Sequence, residues 1–241
     1  MKAPFLEALA RLFAGGGLEL AAWGVAFARV LPVIVIVPAF GLRALSAPVR
    51  AAMALLFAAV IVPAVAPAPG ALAAWPAVLV SELVRGTLVA IAAAIPLWSA
   101  TMAGGIVDAL RGAQELSDLP TVEGRAPPLG SLFSLLAAAI FLATGGPSRV
   151  VGPLVAPAPD AATGVARAAM NLASGIGVAT AIAAPLLAAS LVLEIAGALV
   201  ARAASPAQLS VLLAPIRSLA LLALTAILLD RIAAFIALLP G

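Results

Sequence analysis

Three groups of charged side chains interrupt an otherwise apolar chain, and their types and spacing are where chemistry would have to start. Glu82 and Arg85 stand three residues apart in a hydrophobic run, which places both on one face of a helix. Charge inside such a run is costly, so the two either neutralise each other or face a protein interior or an aqueous cavity. The pair reads as a relay or gate, or as a structural ion pair near a helix end. Glu194 has apolar neighbours from Leu186 to Val200, with Ser190 the nearest uncharged polar group. A carboxylate so placed needs a partner on another helix or another subunit, or else a proton. Asp108, Arg111, Glu115 and Asp118 follow at spacings of three, four and three, one stripe if a helix continues that far. Such a stripe self-pairs as a solvated face, or docks a cytoplasmic or neighbouring subunit.

The residue types that are missing exclude most catalysis. The chain has no Cys, His or Tyr, and Lys2 is its single lysine. Thiolate or imidazole metal sites, Cys–His or Ser–His dyads and Schiff-base chemistry away from the terminus are therefore ruled out. No phosphate-cradling GxxxxGK[ST], no GxGxxG after a strand and no GxSxG elbow is present. The expectation is a protein with no catalytic, cofactor-binding or metal-binding residues, and not an enzyme. A net charge of +3 with a sequence pI near 11.0 is no nucleic-acid signal, because the arginines are scattered singly. In a membrane protein, scattered arginines act as topology determinants.

The elements that position these residues follow from composition. Of 241 residues, 65% are hydrophobic and 10% charged, and the mean hydropathy is +1.24. So few charges cannot cover a water-soluble surface, so the chain is an integral membrane protein. Runs long enough to span a bilayer are expected from about Leu18 to Val37, Pro48 to Val65, Pro76 to Leu110, Leu129 to Thr144, Ala168 to Val200 and Leu209 to Leu239. A polar stretch, Arg111 to Pro128, and a Pro-rich loop reaching Asp160 lie between them. Every run but the fourth holds or begins with a proline, which kinks a helix and frees a carbonyl. Abundant Gly and Ala permit close helix approach, although a GC-rich genome explains their number equally well. The expected fold is all-α: one domain over residues 1–241, a polytopic membrane protein of about six kinked hydrophobic helices arranged as helical hairpins. No removable signal peptide is apparent at the start. Arg43, Arg50, Arg111, Arg125, Arg202 and Arg217 fall on one side, which the positive-inside rule makes cytoplasmic, with both termini outside.

The order of the short motifs carries a resemblance. The first hairpin reads Arg29-Val30-Leu31-Pro32, then Pro38-Ala39-Phe40-Gly41, then Ala47-Pro48-Val49-Arg50. Glu82 is followed by Gly86, and the third run ends Ala103-Gly104-Gly105-Ile106-Val107-Asp108-Ala109-Leu110-Arg111-Gly112-Ala113. Pro128-Leu129-Gly130, Thr144-Gly145-Gly146, Glu194, Ala201-Arg202-Ala203 and Pro206 with Gln208-Leu209 complete the series. Over nearly its whole length the chain resembles the SctT/FliR family of type III export-apparatus components. The Asp108–Ala113 segment looks more like the injectisome branch (SctT, YscT, SpaR), since the Gln-Met-Gly pattern of flagellar members is absent. Ser117-Asp118-Leu119-Pro120 stands where an aspartate-proline pair is usual, so the flagellar branch stays open.

The resemblance implies a core subunit of the type III protein export gate in the bacterial inner (cytoplasmic) membrane. It would assemble with SctR/FliP-like and SctS/FliQ-like subunits into a channel for unfolded secreted substrates. An SctU/FlhB-like switch protein and an SctV/FlhA-like export ring would lie nearby, with membrane lipid and no nucleic acid as further surroundings. In such a gate the subunit is largely lifted out of the bilayer plane. Pro32, Pro38, Gly41, Pro48, Gly145 and Gly146 would shape hairpins that wrap a pore axis. Glu82, Arg85, Asp108, Arg111 and Glu194 would be buried charges or subunit contacts. The alternatives are a flagellar export-gate subunit and a stand-alone proton-coupled small-molecule transporter, for which an internal repeat is expected but not found.

Overall fold

The computed structural model describes residues 20–40, 46–65, 75–112, 117–118, 125–156, 161–203 and 210–237. Among these, seven α-helices follow in order: α1 (Leu20–Ile36), α2 (Ala47–Ile61), α3 (Trp75–Leu110), α4 (Pro128–Ala143), α5 (Gly146–Val155), α6 (Ala161–Ala203) and α7 (Ser210–Ala237). A 3₁₀ turn, Val62–Ala64, closes α2. Two antiparallel two-residue strands, β1 (Ser117–Asp118) and β2 (Arg125–Ala126), pair in the connection between α3 and α4.

Four helical segments are long and apolar enough to cross a membrane: Ala47–Ala64, Trp75–Leu110, Ala162–Ala203 and Leu213–Ala234. The pair α4 and α5, bent by 69°, is long and apolar enough for a fifth when taken together as one broken span, and α1 is a shorter apolar helix. The chain is thus a helical, multi-pass membrane protein built from the six hydrophobic units that its apolar runs predict.

Three expectations are corrected. Residues 146–155, expected as part of a Pro-rich loop, form a helix, because Pro147 occupies its first turn, where proline's missing N–H costs nothing. The fifth hydrophobic helix begins at Ala161, seven residues earlier than expected. The single stripe of Asp108, Arg111, Glu115 and Asp118 does not form. The helix ends at Leu110, Gly112 takes φ +72°, a conformation that suits glycine, and Asp118 lies in β1. Glu115 lies outside the described residues.

Glycines and one tryptophan set the directions of the helices. Gly24 faces the Trp75 ring and Gly86 faces the Arg29 carbonyl, so α1 and α3 run the same way. A Cβ on Gly86 would overlap that carbonyl, and one on Gly104 would overlap the Leu129 carbonyl, so at both points backbone meets backbone. The α4–α5 pair starts beside Asp108 and ends beside Arg85, and therefore runs back along α3. α6 runs parallel to α3, with Gly175 against Ile95 and Ser99 and Leu186 packed with Val107.

The core lies between α1, α2, α3 and α4, where Val30, Val33, Ile34, Ala54, Ile61, Leu97 and Phe133 are buried. The turn after α1 is anchored there by Phe40, whose ring meets Phe57 at 5.2 Å and Phe141 at 5.8 Å, both edge-on. Pro38 follows the helix end and Pro48 lies in the first turn of α2, positions where each ends or starts a helix without breaking one. Pro32 lies inside α1. Gly41 lies outside the described residues.

Candidate functional site

The charged residues gather at two ends of α3 rather than around one reaction centre. At the first, the Arg29 Nε donates to Glu82 Oε2 at 2.5 Å, and its NH1 group donates to the Leu154 carbonyl at 2.8 Å. Arg29 is buried, and the Glu82 side chain nearly so. Arg85, one turn beyond Glu82, donates to the Ala156 carbonyl. The expected Glu82–Arg85 ion pair is therefore not the one formed: Glu82 binds Arg29 of another helix, and Arg85 turns to the end of α5.

The reason lies in the broken span. Gly145 adopts φ +78° between α4 and α5, and the following Gly146 sits against the Phe141 ring with no room for a side chain. Carbonyls at a helix end have no helical donor, and in an apolar layer each must find another. Arg149 donates to the Thr144 carbonyl at 2.8 Å, Arg29 takes Leu154 and Arg85 takes Ala156. Three guanidinium groups thus complete the bent pair, and the two at its far end also complement the negative end of the α5 dipole.

At the other end of α3, Asp108 is fully buried and accepts from the backbone N–H groups of Leu129 at 2.7 Å and Gly130 at 3.1 Å. Its other oxygen accepts from Arg111 Nε at 2.7 Å. The residue before α4 is Pro127, which has no side-chain cap to offer. Asp108 supplies that cap from across the interface, a charge-assisted version of an N-cap. Nearby, Arg217 of α7 donates to the Leu110 carbonyl at 2.7 Å, closing the end of α3, and meets Glu194 of α6 at 2.6 Å. The Glu194 side chain is 52% exposed and the Arg217 side chain 29%. A smaller polar tie lies midway, where Ser99 donates to the Gly175 carbonyl of α6 at 2.9 Å.

The arrangement fixes helix to helix. Glu82, Asp108 and Glu194 are each engaged by an arginine, in three separate ion pairs. Among the described residues no group of three or more potential metal ligands occurs. Sequence reasoning missed Arg29 and Arg217 as the partners, and Leu154 and Ala156 as acceptors. For Arg29 the signal was present, since an arginine amid apolar residues requires a buried partner. The two carbonyls carry no signal, because they become acceptors only where α5 stops.

The family model for bacterial export proteins, family 1, matches residues 20–239. No curated protein matches the chain.

Proposed function

The chain belongs to the bacterial export proteins, family 1, and on that premise we propose that it is a core subunit of a type III protein export gate in the inner membrane. In this reading it assembles with SctR- and SctS-like subunits into the channel for unfolded proteins, beside an SctU/FlhB-like switch protein and an SctV/FlhA-like ring. The observation that carries the reading is the family match over residues 20–239. The injectisome branch is favoured by the Asp108–Ala113 segment, and the flagellar branch is the alternative.

The physics of the helices supports an assembled rather than a solitary state. Roughly 54 Å of rise in α3 and 65 Å in α6 exceed the ~30 Å hydrocarbon layer of a bilayer. Both helices are predominantly apolar, so the surplus surface needs protein to cover it. On α6 the exposed residues include Leu191, Val192, Ile195, Leu199 and Val200. Glu82, Arg85, Asp108, Arg111 and Glu194 act in this reading as positioning residues that hold the helices in shape for assembly. A broken helix is also the signature of a transporter's ion site, but here arginines of the same chain occupy the carbonyls at the break and at the end of α5.

Native mass spectrometry of the chain, tagged and gently extracted from its own host, tests the proposal. A large particle with one copy of this chain and several copies of small hydrophobic partners is the expected result. A monomer or homodimer from cells making the complete operon would overturn it.

A further inference from the structure

Counting charge at the α1–α3–α5 junction leaves an excess. Arg29 and Glu82 neutralise each other at 2.5 Å. Arg85 is half-buried, and what it binds is a neutral carbonyl, that of Ala156. Among the described residues, the charged groups that act on Arg85 are Arg29 and Glu82. The cluster thus holds two guanidinium groups to one carboxylate. Asp108 with Arg111, and Glu194 with Arg217, show the contrasting arrangement, one acid to each base.

The surroundings of Arg85 make that excess costly. On its own helix, which begins ten residues earlier at Trp75, exposed Val84 flanks it, and exposed Val80 and Leu83 lie further round the same turns. An unbalanced charge within an apolar surface is retained where something outside the chain balances it. A lipid phosphate lies at the boundary with water, yet α3 continues for about 15 Å on the N-terminal side of Arg85 with Glu82, already paired, as its one charge. That placement favours a protein face over a headgroup layer.

Resting on the export-gate reading above, we infer that Arg85 is the seat for a carboxylate carried by an apolar helix of a partner subunit. The partner covers Val84 and brings one negative charge to the guanidinium. Arg29 and Glu82 act as positioning residues, because their pairing leaves the charge of Arg85 unbalanced while its guanidinium stays on the Ala156 carbonyl.

A photo-crosslinking residue placed at Val84 tests this in the native host, since Val84 is exposed and makes no polar contact of the cluster. The expected result is an adduct with a membrane partner. Arg85→Gln should lower its yield roughly tenfold or more, the scale for removing one member of a desolvated pair across an interface. The cross-linked peptide should contain an Asp or Glu, and reversing that residue to Arg should restore the adduct in Arg85→Glu. No protein adduct in an otherwise intact particle, an adduct with phospholipid, or an adduct that Arg85→Gln leaves unchanged would each overturn the inference. An equal loss in Asp160→Asn would place the counter-charge within this chain and overturn it as well. If the unsubstituted chain forms no particle, the export-gate reading fails first, which separates the two failures.

Discussion

Arg29 and Glu82 stand 53 positions apart and meet through a single 2.5 Å hydrogen-bonded ion pair that joins α1 to α3. One turn further along α3, Gly86 lets the two backbones touch where Arg29 emerges. The pair and the close approach are one device: the glycine brings the helices near enough for a side chain on one to reach its partner on the other.

That coupling predicts a non-additive mutational cycle. Arg29→Met or Glu82→Met alone strands a buried group and should cost about 3–5 kcal/mol, the range for breaking a buried pair by removing one member. The double variant Arg29→Met with Glu82→Met should lie closer to the unsubstituted protein than either single change. Thermal unfolding of the four proteins in one detergent measures the coupling, and strict additivity would count against the pair.

The glycines separate into two classes by what a methyl group would meet. Gly86→Ala and Gly104→Ala push against backbone carbonyls of neighbouring helices and should cost about 1–3 kcal/mol as overpacking. Gly105→Ala and Gly177→Ala meet open space within helices and should be neutral or stabilising by up to about 1 kcal/mol. The same unfolding midpoints test both, and the ordering matters more than the size.

The helices were legible in sequence and their partners were not. Apolar runs locate α3, α6 and α7 because a long stretch with so little charge has few other uses in a membrane protein. The same pattern hid α5, since Gly146, Pro147, Gly152 and Pro153 are the residues of a loop. α5 persists because Arg29 and Arg85 bind its last carbonyls, and those arginines come from helices more than seventy residues away. Glu82 and Arg85 illustrate the general limit. Their spacing of three puts both on one helix face, whereas the tertiary fold gives Glu82 the guanidinium of Arg29 and turns Arg85 to the Ala156 carbonyl.

Asp108 offers a direct test of a cap supplied from a distance. Asp108→Ala removes the acceptor for Leu129 and Gly130 and the ion pair with Arg111, and should cost about 2–4 kcal/mol from a lost cap and a charged hydrogen bond together. Asp108→Asn keeps one acceptor and should cost less. Loosening the start of α4 should also speed proteolysis within residues 111–128, and the order alanine, asparagine, unsubstituted is the expected ranking. Equal cleavage in all three would remove the cap from the account.

Glu194 and Arg217 distinguish the isolated chain from the assembled one. Both side chains reach the surface, so their pairing at 2.6 Å is worth no more than about 1 kcal/mol by itself. Glu194→Ala should therefore leave the purified chain's unfolding nearly unchanged. Where partners cover α6, as proposed, the same pair becomes desolvated, and its loss should reduce the fraction of chain found in the large particle several-fold. Arg217→Ala should do more, because it also strips the Leu110 carbonyl at the end of α3. Measuring stability in detergent and assembly in the host on the same variants separates the two contributions. A small effect on the first with a large effect on the second is what an interface role requires, and small effects on both would reduce Glu194 to a surface charge.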